Sequence, residues 1–117
     1  MIQNNTTKET LVTHHKELYG VLEMSFGLMF RKRLHDTGWV FVCPKTSRWD
    51  LTNLFVFQSI DVLWLNKDRR VLKKVCMRPF VLFQKGIANT RYIIELPKES
   101  AKNVSVGDHI TWDKKAL

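Results

Sequence analysis

Hydrophobic residues along this chain fall into short runs separated by polar turns. The polar start Gln3-Asn4-Asn5-Thr6-Thr7 predicts a flexible or weakly paired segment over residues 1–9, and the β-branched stretch from Thr10 to His14 predicts a short first strand. From Lys16 the period changes. Leu18, Val21, Leu22, Ser25 and Met29 recur at spacings of three and four, which predicts one face of a helix capping an open end of a sheet. The turn residues His35-Asp36-Thr37-Gly38 then precede a strand from Trp39 to Val42, which Pro44 is expected to end because it lacks a backbone donor. Leu54 to Phe57 and Ile60 to Leu65 are apolar on both faces and predict central strands. Asn66-Lys67-Asp68-Arg69 predicts a hairpin turn into a strand from Val71 to Met77. The favoured Asp-Gly pair is missing there, so a longer or bulged connection is expected. After a second long loop from Pro79 to Thr90, Arg91 to Leu96 alternates, and Val106-Gly107-Asp108 turns into a last strand from His109 to Trp112.

Many short strands with one helix near the N-terminus predict an α+β, mainly β class: a small, mostly antiparallel barrel or half-barrel. At 117 residues the chain suits one domain, taken as residues 10–113 with 114–117 as a tail. The longest apolar runs, such as Trp39 to Cys43, are too short to span a bilayer, and the polar start lacks the apolar core of a signal peptide. The expected location is therefore the cytoplasm, with no membrane span.

Four blocks in fixed order add a family resemblance: Gly27-Leu28-Met29-Phe30-Arg31, Ile60-Asp61-Val62-Leu63-Trp64-Leu65, Tyr92-Ile93-Ile94-Glu95-Leu96-Pro97 and Val106-Gly107-Asp108. From about Leu18 to Trp112 the chain resembles the family called domain of unknown function 192. The family's hallmarks are a GLM-x-R turn, a P-hydrophobic-D strand, an LELP strand and a closing GD turn. The resemblance implies a fold but no activity. Ser59 stands where the family usually has Pro, and Thr52 to Gln58 departs from the polar and aromatic pattern usual there.

Asp61 draws attention because it interrupts an apolar strand, where a carboxylate needs a partner, hydrogen bonds or a proton. Two readings follow: a structural carboxylate bonded to backbone or to Arg31, or a ligand contact. In the second, Asn53, Gln58, Asp61 and Tyr92 line a small-ligand pocket. Dedicated catalytic signals are absent. There is no nucleophile elbow and no phosphate-cradling glycine loop, and Cys43 and Cys76 lack a context that activates a thiol, so both read as buried and inert. His14 and His15 would point to opposite sides of a strand, and neither they nor His35 and His109 complete a metal-ligand set. No cofactor or metal is expected.

Charge supplies the remaining signal. Nineteen Lys and Arg against eleven Asp and Glu give a net charge of +8. The excess clusters at Arg31-Lys32-Arg33 and around Arg70, Lys74 and Arg78, which alternation places on one side of the strand from Val71 together with Leu72 and Cys76. Val71, Val75 and Met77 would share the other side with Lys73. These six cations are the candidates for binding nucleic acid or another polyanion. Alternatively, they solvate edge strands and discourage edge pairing. The composition thus favours a non-enzymatic binding or accessory domain with a basic surface, without identifying its ligand.

Overall fold

The computed structural model describes residues 1–19, 36–51, 59–78 and 84–113. These contain the strands β1 (Ile2–Asn4), β2 (Glu9–Val12), β3 (His14–Tyr19), β4 (Thr37–Ser47), β5 (Ile60–Leu65), β6 (Val71–Met77), β7 (Thr90–Pro97) and β8 (Ile110–Trp112). They form two sheets, ordered β2-β1-β8 and β3-β4-β7-β5-β6, antiparallel throughout except for β3 with β4. Among the described residues β3 and β6 are not paired with each other, so the larger sheet is open. Of the expected barrel or half-barrel, the closed form is not made among the described residues.

The apolar run of β5, broken only by Asp61, has a direct cause: all six of its residues are buried, because the larger sheet is covered on both faces. Successive side chains point to opposite faces of a strand. Val40, Leu63, Leu65, Ile94 and Leu96 accordingly meet Ile2, Leu11, Val12, Ile110 and Trp112 of the smaller sheet and fill the space between the two. Trp39, Phe41, Ile60, Val62, Trp64, Met77 and Ile93 form a second cluster on the opposite face. Gly38 lets the sheets approach, since a Cβ there would lie 2.5 Å from Ile2 Cδ1 and 3.0 Å from Leu96 Cδ2.

Several expectations need correction. No helix occurs among the described residues. Lys16 and Leu18, assigned to a helix by their spacing, lie in β3, paired with Trp39 and Phe41 of β4, and Leu18 packs on the second cluster. Backbone pairing and packing override the local period there, while residues 20–35 lie outside the description. The start of the chain is also paired. Ile2–Asn4 forms β1 between β2 and β8, with Ile2 fully buried despite its polar neighbours. β4 runs through Pro44 to Ser47, with the ladder to β7 shifting register between Val42 and Ser47. Pro44 therefore sits in the break, where its missing N–H leaves no ladder bond unmade. A second register shift, opposite Trp64 and Leu65, changes the phase of β6. Val71 then packs between the sheets whereas Val75 and Met77 pack on the far face, so the single-phase alternation assigned to this strand does not hold. The predicted strand over 54–57 lies outside the described residues.

Candidate functional site

Asp61 is the second residue of central strand β5, opposite Cys76 of β6 and Leu96 of β7, and is buried. Its Oδ2 accepts a 2.9 Å bond from the Ala101 N–H. The 98–104 loop after β7 is built from successive turns, in which Ser100, Lys102 and Val104 N–H donate to the carbonyls of Pro97, Glu99 and Ala101. Lys74, from β6, completes the clamp. Its Nζ donates to the carbonyls of Ala101, Lys102 and Val104 at 3.0, 3.4 and 2.7 Å. A carboxylate takes the loop's buried donor and an ammonium takes its acceptors, so both charged groups are bound into the backbone of the loop they hold.

A hollow of about 240 Å³ beside this clamp is lined by Asp61, Lys74, Cys76, Lys98, Glu99 and Lys102, with Ala101 at its base. Cys76 is exposed, not buried as expected. Desolvation and the neighbouring Asp61 carboxylate nevertheless hold its thiol above the ordinary range, against the pull of Lys98 and Arg78. Cys43 is buried, and desolvation pushes its thiol up to about 12. Neither is primed as a nucleophile, because the thiolate is the reactive form. A bridge between them is ruled out by topology: β7 and β5 separate their strands. Three steps of about 4.8 Å across the sheet alone put them at least roughly 14 Å apart, twice what a disulfide spans.

The pocket expected from Asn53, Gln58, Asp61 and Tyr92 is not assembled in the described residues. Asn53 and Gln58 lie outside them. Asp61 is opposite Leu96, four positions from Tyr92 along β7, which is about 14 Å away. Tyr92 instead meets the Trp112 ring edge-on at 5.0 Å, and the Arg69 guanidinium stacks 3.9 Å over Trp112 and 5.6 Å from the Tyr92 ring. Of the cationic candidates, Arg31, Lys32 and Arg33 fall outside the description. Arg70 Nη1 donates to the Gly107 carbonyl at 3.3 Å and Lys74 is in the clamp, while Arg78 is exposed close to Cys76. Lys98 and Lys102, absent from the sequence candidates, join Arg78 at this end of the sheet. They sit in a turn whose fold the sequence pattern does not announce.

Asp108, the closing residue of the GD turn, is likewise occupied. Bonds from Ser105 N–H and Asn4 Nδ2 hold its carboxyl below the usual range, and Gly107 supplies the positive φ of 96° that the turn requires. Glu95 differs from both. It lies in β7 between Trp39 of β4 and Val62 of β5, is 4% exposed, and its Oε2 has no hydrogen-bond partner. Desolvation alone pushes its carboxyl up to about 8, so at neutral pH it is mostly protonated. The signal that flagged Asp61, an acid inside an apolar strand, was equally present at Glu95. Among the described residues no three His, Cys, Asp or Glu side chains converge as a metal site, and no helix is long and apolar enough to cross a membrane.

Comparison with known proteins places these features in a family context. The model of domain of unknown function 192, described as Uncharacterized ACR, matches residues 7–112. A UPF0127 protein of Pyrococcus abyssi is 30% identical over 95 residues, covering 78% of this chain and 79% of that protein. Another, from Pyrococcus horikoshii, is 34% identical over 96 residues, covering 78% and 80%. A crystal structure of a protein of unknown function from Novosphingobium aromaticivorans DSM 12444 matches with a TM-score of 0.77 at 20% identity, over 84% of this chain and 74% of that one. A candidate transcription regulator from Sinorhizobium meliloti 1021 gives a TM-score of 0.77 at 20% identity, over 83% and 79%. These two share the fold.

Proposed function

This chain belongs to the domain of unknown function 192 family, the UPF0127 proteins, and from that premise we propose that it is a non-enzymatic binding domain whose basic end engages the phosphate backbone of nucleic acid. One observation carries the reading. Around a single hollow, Lys98 and Lys102 present exposed charge against the one exposed carboxylate of Glu99, Lys74 adds its field and Arg78 lies exposed close to Cys76, while the Asp61 carboxylate is turned inward onto the Ala101 N–H. Binding of this kind follows from charge density and needs no base-reading motif. The raised thiols of Cys43 and Cys76 favour a binding role over thiol chemistry. A cytoplasmic setting, where thiols stay reduced and nucleic acid is present, fits the same picture.

The test is a fluorescence titration of the chain with single-stranded and double-stranded oligonucleotides at several salt concentrations. Dissociation constants of roughly 1–100 µM near physiological salt are expected. Three phosphate contacts would give a log–log salt slope of about −2 to −3. Changing Arg78, Lys98 and Lys102 together to Gln should flatten that slope, with Lys74 left in place because its ammonium holds the loop. Absence of binding at low salt would overturn the proposal. Undiminished binding by the triple variant would move the contact surface elsewhere on the chain.

A further inference from the structure

A second cleft lies at the opposite end of the larger sheet from the Asp61 clamp. The antiparallel register fixes this relation: Ile60 and Pro97 mark one end of β5 and β7, and Leu65 and Tyr92 the other. Past Leu65 the chain turns through 66–70, and the residues entering β7 approach from the side. Between them opens a cleft of about 430 Å³ lined by Thr46, Asn66, Lys67, Asp68, Leu72 and Asn89. That volume is within the range of small-molecule sites.

The two ends contrast in chemistry. At the clamp the acid and Lys74 are committed to backbone. Among the described residues, the Thr46 hydroxyl, the Lys67 ammonium, and the carboxylate and carboxamide of Asp68 and Asn89 have no protein partner. Asn66 is fixed in direction. Its Oδ1 accepts the Asp68 and Arg70 N–H groups at 2.9 Å each, leaving its Nδ2 as a free donor. The same turn is closed by Asn66 N–H to the Arg70 carbonyl and Arg69 N–H to the Asn66 carbonyl, both at 3.0 Å. Asn89 is held on the facing wall in a left-handed conformation with φ of 69°. Next to it, the Thr90 hydroxyl donates to the Ile87 carbonyl at 2.8 Å. The ordered turn 66–70 and Asn89 facing it therefore present donors and acceptors to one space, with Leu72 as the apolar member of the lining among the described residues.

From this convergence we infer that the cleft lined by Thr46, Asn66, Lys67, Asp68, Leu72 and Asn89 binds a small polyhydroxylated molecule of sugar size. Lys67 and Asp68 cancel in formal charge, so the cleft does not select an anion, unlike the basic end. A carboxylate and carboxamides can each take both members of a vicinal diol, because they offer two polar atoms at fixed spacing. Leu72 offers a surface for the C–H face of a ring. Pre-organisation matters here because the turn 66–70 is ordered by its own hydrogen bonds and need not be ordered by the ligand.

The experiment is an NMR titration of the ¹⁵N-labelled chain with D-glucose, D-galactose and D-mannose, with glycine as a zwitterionic comparison. Saturable shifts are expected for at least one sugar at the backbone of residues 66–68 and at the side-chain NH₂ groups of Asn66 and Asn89, unaffected by added salt. In the doubly substituted chain, Lys67→Ala with Asp68→Ala, the remaining spectrum should be unchanged and those shifts should fall at least several-fold. No saturable shift with any of the three sugars would overturn the inference, and so would equal shifts in the doubly substituted chain. A stronger response to glycine at the same residues would overturn the ligand class. None of these outcomes depends on nucleic-acid binding at the other end.

Discussion

Replacing Glu95 by Gln tests the physical reading of the larger sheet most directly. The side chain keeps its shape but can no longer ionise. In the folded chain the carboxyl is pushed up to about 8 from an ordinary 4.5, by desolvation alone. Between those values the folded state holds a proton that the unfolded state releases, so stability falls as pH rises from about 4.5 to about 8. At about 1.4 kcal/mol per pH unit, the loss attributable to this residue over the full window is on the order of 5 kcal/mol. That is a large share of the roughly 5–15 kcal/mol that holds a domain folded. The assay is guanidinium unfolding of both chains at pH 5, 6.5 and 8, where the denaturant also screens surface charge. The stability of the Gln variant minus that of the wild type should rise by several kcal/mol across this range. His15 acts with the opposite sign, because burial lowers its pKa and its contribution to stability grows as pH rises through the unfolded value near 6.5. It is common to both chains and cancels in the difference. A difference that stays constant with pH to within about 0.5 kcal/mol would refute the reading, since it would mean that Glu95 is charged in the folded state or protonated in neither state.

Asp61→Ala leaves the Ala101 N–H unpaired and should lower stability by about 1–3 kcal/mol in urea unfolding, with Asp61→Asn losing less because an acceptor remains. Lys74→Met removes the donors to three carbonyls and should cost a similar amount, with local loss of hydrogen-exchange protection at Lys102 and Val104, whose N–H groups close the loop's turns. Gly86→Ala puts a methyl group onto the Trp49 carbonyl oxygen, which also accepts the Trp64 indole N–H, and should lower the thermal midpoint by an amount corresponding to about 2–4 kcal/mol. Thiol counting with a disulfide reagent should label Cys76 alone in the native chain and both thiols in denaturant; labelling of Cys43 under native conditions would contradict its burial.

Most of the larger sheet was legible because burial on two faces leaves a mark in the sequence. β5 is legible as an apolar run and β7 as an alternating one, each bounded by turn residues, and of the two readings of Asp61 the structural one, a carboxylate bonded to backbone, is the one seen. β3 is not legible as a strand, for the converse reason. As an outer strand its residues His15, Lys16, Glu17 and Tyr19 carry little apolar alternation, and the three-and-four spacing that begins at Leu18 dominates the window. β1 gave still less signal, since one buried Ile among polar residues supports no periodicity. The phase change in β6 comes from a register shift fixed by its pairing with β5, which no window along one strand contains. Likewise, the hollow beside Cys76 draws Lys98 and Lys102 from a loop whose position depends on Asp61 and Lys74, whose bonds to it span 27 to 40 residues of sequence.

The order β2-β1-β8 has a consequence for the timing of folding. β1 pairs through Ile2, Gln3 and Asn4 with Trp112, Thr111 and Ile110, so one of its two ladders joins segments from nearly opposite ends of the described chain. During synthesis β1 emerges well before β8 and can form only its hairpin with β2 until β8 has left the ribosome. The core between the sheets includes Ile2, Ile110 and Trp112 and stays incomplete for the same interval. Closing so long a loop carries an entropic cost before any contact rewards it, which places this step late and makes it slow relative to the β5–β6 hairpin. A chain stalled short of Ile110 therefore exposes the apolar inner face of the larger sheet together with one unpaired edge of β1, the combination by which partly made β proteins associate with one another.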